Sequence, residues 1–334
     1  MEKVLFFDTD DQLKKFFKQH LSGQAELFFT TESIYHPLAK NPPKDVRVIS
    51  VFAHSQAITG DILKPFKNLQ LLATRSTGYN HIDLDYCRQH NIVVANVPNY
   101  GESTVAEFTF GLILGLTRKI YPAKSDLKKS AVQLNKYMGI DLDGRTLGIV
   151  GAGAIGRHVA HLGHAFGMKI LAYDPYPTQT PDYITYVPFE DLIKKSDIIS
   201  LHCPATEQNT HLFNKKTFSK MKPQAFLINT ARGSLVDTDA LYEALQTHQI
   251  AGAALDVLEN EDVLMQREID LYSKSTSREA LVDSLINIKL MQLDNVIITP
   301  HIAFNSTDAV NRILETTAQT ISAFLAGKPT RSIA

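Results

Sequence analysis

The sequence predicts an α/β protein made of two doubly wound domains, each with a parallel sheet. Three observations support this. Short apolar runs alternate with longer amphipathic segments, the alternation stops at Pro98 and resumes at Thr146, and 334 residues suffice for about two domains. Continuous apolar runs are typical of parallel strands buried on both faces, and amphipathic segments are typical of the helices that cover them.

Composition excludes several classes of protein. The 34 Lys and Arg residues nearly balance 35 Asp and Glu residues, whereas nucleic-acid binders usually carry a basic excess. Cys87 and Cys203 cannot build a disulfide framework, so we expect a reducing, cytoplasmic location. The N-terminus has only the short apolar run Val4–Phe7 and no secretory signal. The longest apolar stretch, near Phe108–Leu116, is shorter than the roughly 20 residues of a membrane span, so no membrane contact is expected.

The first alternating series predicts four strands. They are Val4–Phe7, Val46–Phe52, Leu69–Thr74 and Ile92–Val97. After Pro98, Thr104 and Glu107 have the spacing of a capping box and predict the start of a helix. This helix is apolar nearly all round, so we expect it to be buried between domains or subunits. Residues Tyr121–Gly144 are polar and irregular, which indicates an arm or linker.

The second series contains six strand-like runs and predicts a complete doubly wound unit. The runs are TLGIV, MKILAYD, DIISLHC, AFLINTA, AGAALDV and NVIITPH. Residues Glu259–Leu293 are charged without a strand period and predict a loop with one or two helices. Residues Ser306–Gly327 carry apolar residues at helical spacing, and we expect a helix that returns to the first domain.

The most specific motif is a glycine-rich turn between a strand and a helix. The strand Thr146–Val150 runs into Gly151-x-Gly153-x-x-Gly156, and the next strand ends at Asp174. The first glycine permits the tight turn, the second admits a pyrophosphate, and the third lets helix and strand pack closely. The acid accepts hydrogen bonds from a ribose, and no arginine directly follows it, which favours NAD over NADP. The alternative is a glycine-rich turn in an ordinary α/β domain.

Three further residues follow strand-like runs and form a coherent chemical set. They are Arg232, Glu261 and His301. Reduction of a 2-oxo acid needs a cation for the carboxylate, a proton donor for the carbonyl oxygen and a hydride. Arg232 offers a bidentate fork, and His301 titrates in the right range to donate and recover a proton. Glu261 would orient the imidazole and favour its protonated form. Alone, a strand-end histidine is more often structural.

Across nearly its whole length the chain resembles the D-isomer-specific 2-hydroxyacid dehydrogenase family, and within it the D-lactate branch. The shared motifs, in order, are ATRSTGYNHIDL, VPNYGESTVAE, GAGAIG, SLHCPAT, LINTARGSLVDTDAL, ALDVLENE and TPHIAF. The resemblance implies a flavodoxin-like substrate domain, residues 1–99 and 302–334, and a Rossmann NAD domain, residues 100–301. It also implies a homodimer whose contact includes the Tyr100–Gly144 helix and arm.

The resemblance also implies roles for individual residues. Catalysis falls to Arg232, Glu261 and His301. The glycine-rich motif and the resemblance together assign NAD binding to Gly151, Gly153, Ala154, Ile155, Gly156, Asp174, Cys203, Pro204, Asn209, Thr230, Ala231 and Asp256. The backbone N–H groups of Thr77 and Gly78 would hold the substrate carboxylate together with Arg232. Phe52, Tyr100 and Phe304 would line the pocket for the substrate side chain.

The expected reaction is the reversible reduction of a small 2-oxo acid by NADH to the D-2-hydroxy acid. Three aromatic rings leave little room for the side chain, which favours pyruvate and therefore D-lactate. Alternatives within the family are 2-hydroxyisocaproate, hydroxypyruvate or glyoxylate, and 3-phosphoglycerate. A more remote alternative is a non-enzymatic NAD sensor, since corepressors share this fold. No metal site is expected, because the histidines lack a completing set of ligands.

Overall fold

A computed structural model describes residues 1–36, 43, 45–52, 57–79, 81–127, 134–178, 181–259, 278–330 and 332–333. The chain divides into two compact units, Met1–Tyr100 with Ser306–Ala334, and Gly101–Asn305. The second unit thus extends beyond the predicted boundary at residue 301. The reason is local, because the backbone N–H groups of Ile302 and Ala303 donate to the carboxylate of Asp256 within that unit.

The first unit is a five-stranded parallel sheet covered by helices. Its elements are β1 (Glu2–Phe6), α1 (Asp11–Leu21), β2 (Ala25–Phe29), β3 (Val46–Val51), α2 (Gly60–Leu63), β4 (Leu71–Thr74), α3 (Leu84–Gln89), β5 (Val93–Ala95) and, near the C-terminus, α11 (Thr307–Leu325). The strand order β2-β1-β3-β4-β5 is that of a flavodoxin-like fold. The sequence analysis missed β2 because this short strand mixes exposed and buried residues.

The core of the first unit joins both ends of the chain. The ring of Phe6 on β1 stacks on Phe17 of α1 at 4.3 Å and on Phe29 of β2 at 5.0 Å. Leu314 and Ile321 of α11 belong to the same buried cluster. The predicted C-terminal helix is therefore confirmed, and it completes the core of the first unit.

The second unit contains a seven-stranded parallel sheet in the order β12-β11-β10-β9-β6-β7-β8. Its elements are α4 (Glu102–Thr117), α5 (Ile120–Asp126), β6 (Thr146–Val150), α6 (Ala154–Ala165), β7 (Lys169–Tyr173), β8 (Ile184–Tyr186), α7 (Phe189–Lys195), β9 (Ile198–Leu201), α8 (Lys215–Phe218), β10 (Phe226–Asn229), α9 (Thr238–Gln246), β11 (Gly252–Leu255), α10 (Arg278–Met291) and β12 (Val296–Ile298). Chain order reverses between β6 and β9, as in a Rossmann fold. The two sheets confirm the predicted fold class.

Some local predictions differ from the structure. The helix α4 begins at Glu102 with Gly101 as its N-cap, so the predicted capping box of Thr104 and Glu107 is wrong. A carboxylate in the first turn suits the positive end of this helix dipole. The predicted irregular arm includes the helix α5, and β8 is a seventh strand that was not predicted. Within the described ranges, no helix has both the length and the apolar character that a membrane crossing requires.

The register of the second sheet aligns the carboxyl ends of five strands. Val150 pairs with Leu201, Leu201 with Asn229, Asn229 with Leu255, and Leu255 with Ile298. Ligands bind at this edge in doubly wound sheets, beside the point where strand order reverses. The row brings the segments that follow these strands, among them those that carry Arg232 and His301, to one edge.

We predict that Phe6→Ala lowers the free energy of unfolding by about 3–5 kcal/mol, because it removes a fully buried ring from a stacked cluster. Urea unfolding followed by far-UV circular dichroism measures the change. Tyr176→Ala is the control, since this side chain is 87% exposed, and we expect a change within about 0.5 kcal/mol. Equal losses in both variants would contradict the role given to Phe6.

Candidate active site

The glycine-rich turn after β6 has the shape of a pyrophosphate cradle. Gly151 has φ +93°, and a Cβ there would lie 2.6 Å from the backbone nitrogen of Cys203. A Cβ on Gly156 would overlap the carbonyl oxygen of Gly151, whereas a Cβ on Gly153 would meet no atom within 4 Å. Packing therefore requires the first and third glycines, and the second faces open space. Gly153 is also the N-cap of α6, whose first turn offers N–H donors and a positive dipole end.

Asp174 is held against this turn by the backbone. One carboxylate oxygen accepts from the N–H of Ala152 at 2.9 Å, and the other accepts from the N–H of Tyr176 at 2.9 Å. Each carboxylate oxygen can accept more than one hydrogen bond. Asp174 therefore has acceptor capacity left for the hydroxyls of a ribose placed beside the glycine-rich turn.

The segment after β9 forms the other wall of the reversal point. The side chain of Asn209 closes its own turn, because Oδ1 accepts from the N–H of Thr206 at 2.7 Å and Nδ2 donates to the carbonyl oxygen of Pro204 at 2.8 Å. Burial raises the pKa of the Cys203 thiol to about 11, so this residue stays protonated at neutral pH. Asn209 and Cys203 thus shape the wall that the sequence analysis assigned to NAD.

His202 is a half-buried residue of this wall that the sequence analysis did not single out. Its Nε2 lies 2.8 Å from the hydroxyl oxygen of Ser200. Burial lowers the pKa of the His202 imidazole to about 3, so the ring is neutral throughout the physiological range. It contributes shape and a hydrogen bond to the wall, and no charge.

Arg232 lies in a turn that Asn229 fixes at the end of β10. Asn229 is fully buried; its Oδ1 accepts from the N–H of Ala231 at 3.0 Å and its Nδ2 donates to the carbonyl oxygen of Arg232 at 2.8 Å. The Thr230 hydroxyl lies 3.0 Å from that of Thr109 on α4. Arg232 Nη1 donates to the carbonyl oxygen of Ala231 at 2.7 Å. A guanidinium has five N–H donors, so this bond leaves others for a carboxylate.

His301 lies in a turn that the carboxylate of Asp256 organises. Asp256 is 1% exposed, and its carboxylate accepts from the Thr299 hydroxyl at 2.6 Å, from Ile302 N at 3.0 Å and from Ala303 N at 2.8 Å. The N–H of His301 donates to the backbone oxygen of Asp256 at 2.9 Å. Asp256, predicted as a cofactor contact, therefore also holds the turn that presents His301.

The backbone of His301 adopts a left-handed conformation, with φ +51°. Such conformations cost about 1–3 kcal/mol outside glycine and persist where surrounding structure enforces them. The ring of Phe304 packs edge-on against the imidazole with centroids 6.4 Å apart. Glu261, the predicted partner of His301, lies outside the described residues.

In the first unit, a tight turn follows β4 and carries Thr77 and Gly78. The hydroxyl of Ser76 donates to the carbonyl oxygen of Gly78 at 2.7 Å, and that of Thr77 donates to the carbonyl oxygen of Val97 at 2.8 Å. Asn96 Nδ2 donates to the carbonyl oxygen of Thr77 at 2.8 Å. In each of these bonds the donor is a side chain and the acceptor is a backbone carbonyl group. The bonds fix the turn without using the backbone N–H groups of Thr77 and Gly78, as expected if those groups bind an anion.

Arg75 lies beneath this turn and was missed by the sequence analysis. It is 2% exposed, and its guanidinium donates to Ser50 Oγ at 3.0 Å and to the backbone oxygens of Phe7 at 2.7 Å and Asp8 at 3.2 Å. Burial lowers the pKa of Arg75 to about 10, so the charge remains at neutral pH. The Asp8 carboxylate accepts from the N–H of Phe52 at 3.4 Å. Arg75 thus links the ends of β1, β3 and β4.

Tyr100 and Ile155 are two further residues that the sequence analysis assigned to the site. The carbonyl oxygen of Tyr100 accepts from Arg312 Nε at 2.8 Å within the first unit. Ile155, on the first turn of α6, packs against the hydrophobic cluster that includes Leu147 and Ile149 of β6.

In the described part of the chain, no group of three or more His, Cys, Asp or Glu side chains could hold a metal.

Comparison with known proteins assigns the class. Residues 110–303 match the model of the D-isomer specific 2-hydroxyacid dehydrogenase NAD binding domain. A D-lactate dehydrogenase from Aquifex aeolicus, solved with NAD and lactic acid, is 37% identical; the match covers 97% of this chain and 96% of that chain, with a TM-score of 0.86. Hydroxypyruvate reductase of Thermotoga maritima is 35% identical, over 91% of this chain and 93% of the relative. An aromatic 2-oxoacid reductase of Clostridium sporogenes is 38% identical, over 77% of this chain and 76% of the relative.

The fold and the family match define a protein that binds NAD, and its glycine-rich turn lies at the reversal point of a Rossmann sheet. The chain belongs to the family of D-isomer specific 2-hydroxyacid dehydrogenases. Members of this family are NAD-dependent oxidoreductases, and the cradle of Gly151, Gly153 and Gly156 fits that cofactor in this chain.

We predict that Gly153→Ala folds normally and loses NADH affinity. The added methyl meets no protein atom within 4 Å but occupies the space that a pyrophosphate needs. The dissociation constant for NADH, measured by fluorescence titration, should rise at least about tenfold, the equivalent of one lost charged hydrogen bond. In contrast, Gly156→Ala should lower the melting temperature. Unchanged NADH affinity in Gly153→Ala would show that the pyrophosphate lies elsewhere.

Proposed function

We propose that this protein is a D-lactate dehydrogenase that reduces pyruvate with NADH, reversibly. The observation that carries the proposal is the Asp256-bound turn at the end of β12, which presents His301 at the sheet edge where the Arg232 turn and the NAD cradle also lie. The similarity to the Aquifex aeolicus lactate dehydrogenase supports this choice of substrate.

Each proposed step has a residue suited to it. The first turn of α6 would hold the pyrophosphate and Asp174 the ribose, and NADH when bound supplies the hydride. Arg232, with the backbone N–H groups of Thr77 and Gly78, would hold the carboxylate of the 2-oxo acid. His301 would donate a proton to the carbonyl oxygen during reduction and recover it during oxidation. We assign to Glu261 the orientation of the imidazole and the stabilisation of its charged form.

The choice among 2-oxo acids rests on three rings. Phe304 is fixed beside the imidazole of His301, while Phe52 and Tyr100 belong to the first unit. We propose that each of these rings limits the size of the substrate side chain, which favours the methyl group of pyruvate. The similar reductases of hydroxypyruvate and of aromatic 2-oxo acids make these two substrate classes the alternatives.

We predict pyruvate to have the highest kcat/KM in a panel that also contains phenylpyruvate, 2-oxoisocaproate, hydroxypyruvate, glyoxylate and oxaloacetate. NADH oxidation at 340 nm measures each rate, and chiral chromatography identifies the hydroxy acid. His301→Ala should lower kcat by roughly 10²–10⁴ while NADH still binds, because the proton donor is lost. A preference for phenylpyruvate or hydroxypyruvate would reject the lactate assignment. Protein that binds NADH and reduces none of the acids would instead support a sensing role.

We predict that Phe304→Ala and Phe52→Leu admit larger substrate side chains. Each should raise the ratio of kcat/KM for 2-oxoisocaproate to that for pyruvate by about tenfold or more, since one methylene in a hydrophobic pocket is worth 10- to 200-fold. Gly153→Ala serves as the control, because it lowers NADH affinity without touching the acid side chain. An unchanged ratio in both ring variants would show that these rings do not limit the substrate side chain.

We further propose a homodimer and a cytoplasmic location. The arm that follows α4 carries three exposed apolar side chains. Their exposed fractions are 71% for Leu127, 82% for Leu134 and 71% for Met138. An exposed apolar surface of this kind is expected where a second subunit binds. The two cysteines of the chain, Cys87 and Cys203, are free thiols, which supports a reducing compartment.

We predict that the molar mass measured by sedimentation is twice the chain mass of 37.2 kDa. Leu134→Asp with Met138→Asp should shift the equilibrium toward monomer, because charges would be buried at the contact. Tyr176→Asp, at a position 87% exposed outside the arm, is the control. Analytical ultracentrifugation distinguishes the two forms. A wild-type monomer at micromolar concentration would reject the dimer.

A further inference from the structure

Glu259 holds a junction of three chain segments beyond the end of β11. Its side chain is 19% exposed. One carboxylate oxygen accepts from the N–H of Thr238 at 3.2 Å and from its hydroxyl at 2.9 Å. The other accepts from Nε2 of His211 at 2.6 Å. The carboxylate therefore ties its own segment to the start of α9 and to the turn after β9.

The same junction encloses the stretch that follows Arg232. A Cβ on Gly233 would overlap the backbone carbonyl of Leu258 and would lie 2.6 Å from the nitrogen of Glu259. On the other side, the N–H of His211 donates to the carbonyl oxygen of Ser234 at 2.8 Å. The backbone just after Arg232 is thus packed between the two segments that the Glu259 carboxylate joins.

The helix α9 begins with two carboxylates that satisfy different N–H groups of its first turn. Asp237 is the N-cap, and its side chain accepts from the N–H of Ala240 at 2.9 Å. Glu259 accepts from the N–H of Thr238 and also reaches His211, so it connects the helix start to the turn after β9. The backbone oxygen of Glu259 also accepts from Asn287 Nδ2 of α10 at 3.1 Å, so the main chain is fixed as well as the side chain.

We infer that Glu259 is a positioning residue that sets the Arg232 turn. This inference rests on the proposed function, in which Arg232 binds the substrate carboxylate. Through the close contact with Gly233, a shift of Leu258 and Glu259 moves Arg232.

The test compares Glu259→Ala and Glu259→Gln with the control Glu243→Ala. Glu243 lies on the same helix α9 and pairs with Lys215, and its side chain is 56% exposed. Glu259→Ala should lower kcat/KM for pyruvate by about 10- to 100-fold, the scale of a misplacement near 1 Å. NADH should still bind, because the glycine-rich turn is untouched, and the melting temperature should fall by only a few degrees, because the hydrogen bonds of one side chain are lost. Glu259→Gln keeps an acceptor oxygen for Thr238 and should restore part of the loss.

A second measurement separates this inference from the proposed function. Amide hydrogen exchange of the peptide 233–238 should accelerate in Glu259→Ala and stay unchanged in Glu243→Ala. Faster exchange with wild-type kcat/KM, or unchanged exchange, overturns the positioning role. Wild-type protein that binds NADH but reduces no 2-oxo acid overturns the proposed function and the catalytic part of this inference. In that case the exchange experiment alone still decides whether Glu259 holds the stretch after Arg232.

Discussion

The arrangement of the second unit depends on parallel pairing in register. Val150, Leu201, Asn229, Leu255 and Ile298 form one row across five strands, so the segments that follow them start at the same level. Hydrogen bonds of the sheet thereby bring residues far apart in sequence to one edge. In antiparallel pairing, alternate strands would deliver their ends to opposite edges, and no such group would form.

Buried charges then fix the segments that leave this edge. Asp256 binds the turn that carries His301, and in the first unit Arg75 binds the ends of β1 and β3. A buried charge is costly unless hydrogen bonds satisfy it, so each charge enforces the backbone geometry that supplies its partners. The left-handed backbone of His301 is maintained in this way. The turn of His301, the proton donor that we propose, is thus held by electrostatics in the layer behind it.

The sequence predicts what local chemistry determines. The NAD unit is predicted from the apolar runs, the glycines and Asp174, because the structural requirement behind each is apparent from a few consecutive residues. The capping box at Thr104 failed because helical backbone extends further back, to Glu102. The roles of Asp256 and Glu259 toward the turns of His301 and Arg232 were not visible, since their partners lie 43 and 48 positions away. Only the folded sheet brings such pairs together.

The first unit is assembled from both ends of the chain, and this has a consequence for synthesis on the ribosome. Phe6 and Phe17 share a buried cluster with Leu314 and Ile321 of α11. The second unit, Gly101–Asn305, is continuous and has all its residues available before that helix emerges. During translation the N-terminal sheet therefore has part of one apolar face uncovered, beside α1, until that helix has been made. We expect nascent chains to be most prone to aggregation during that interval.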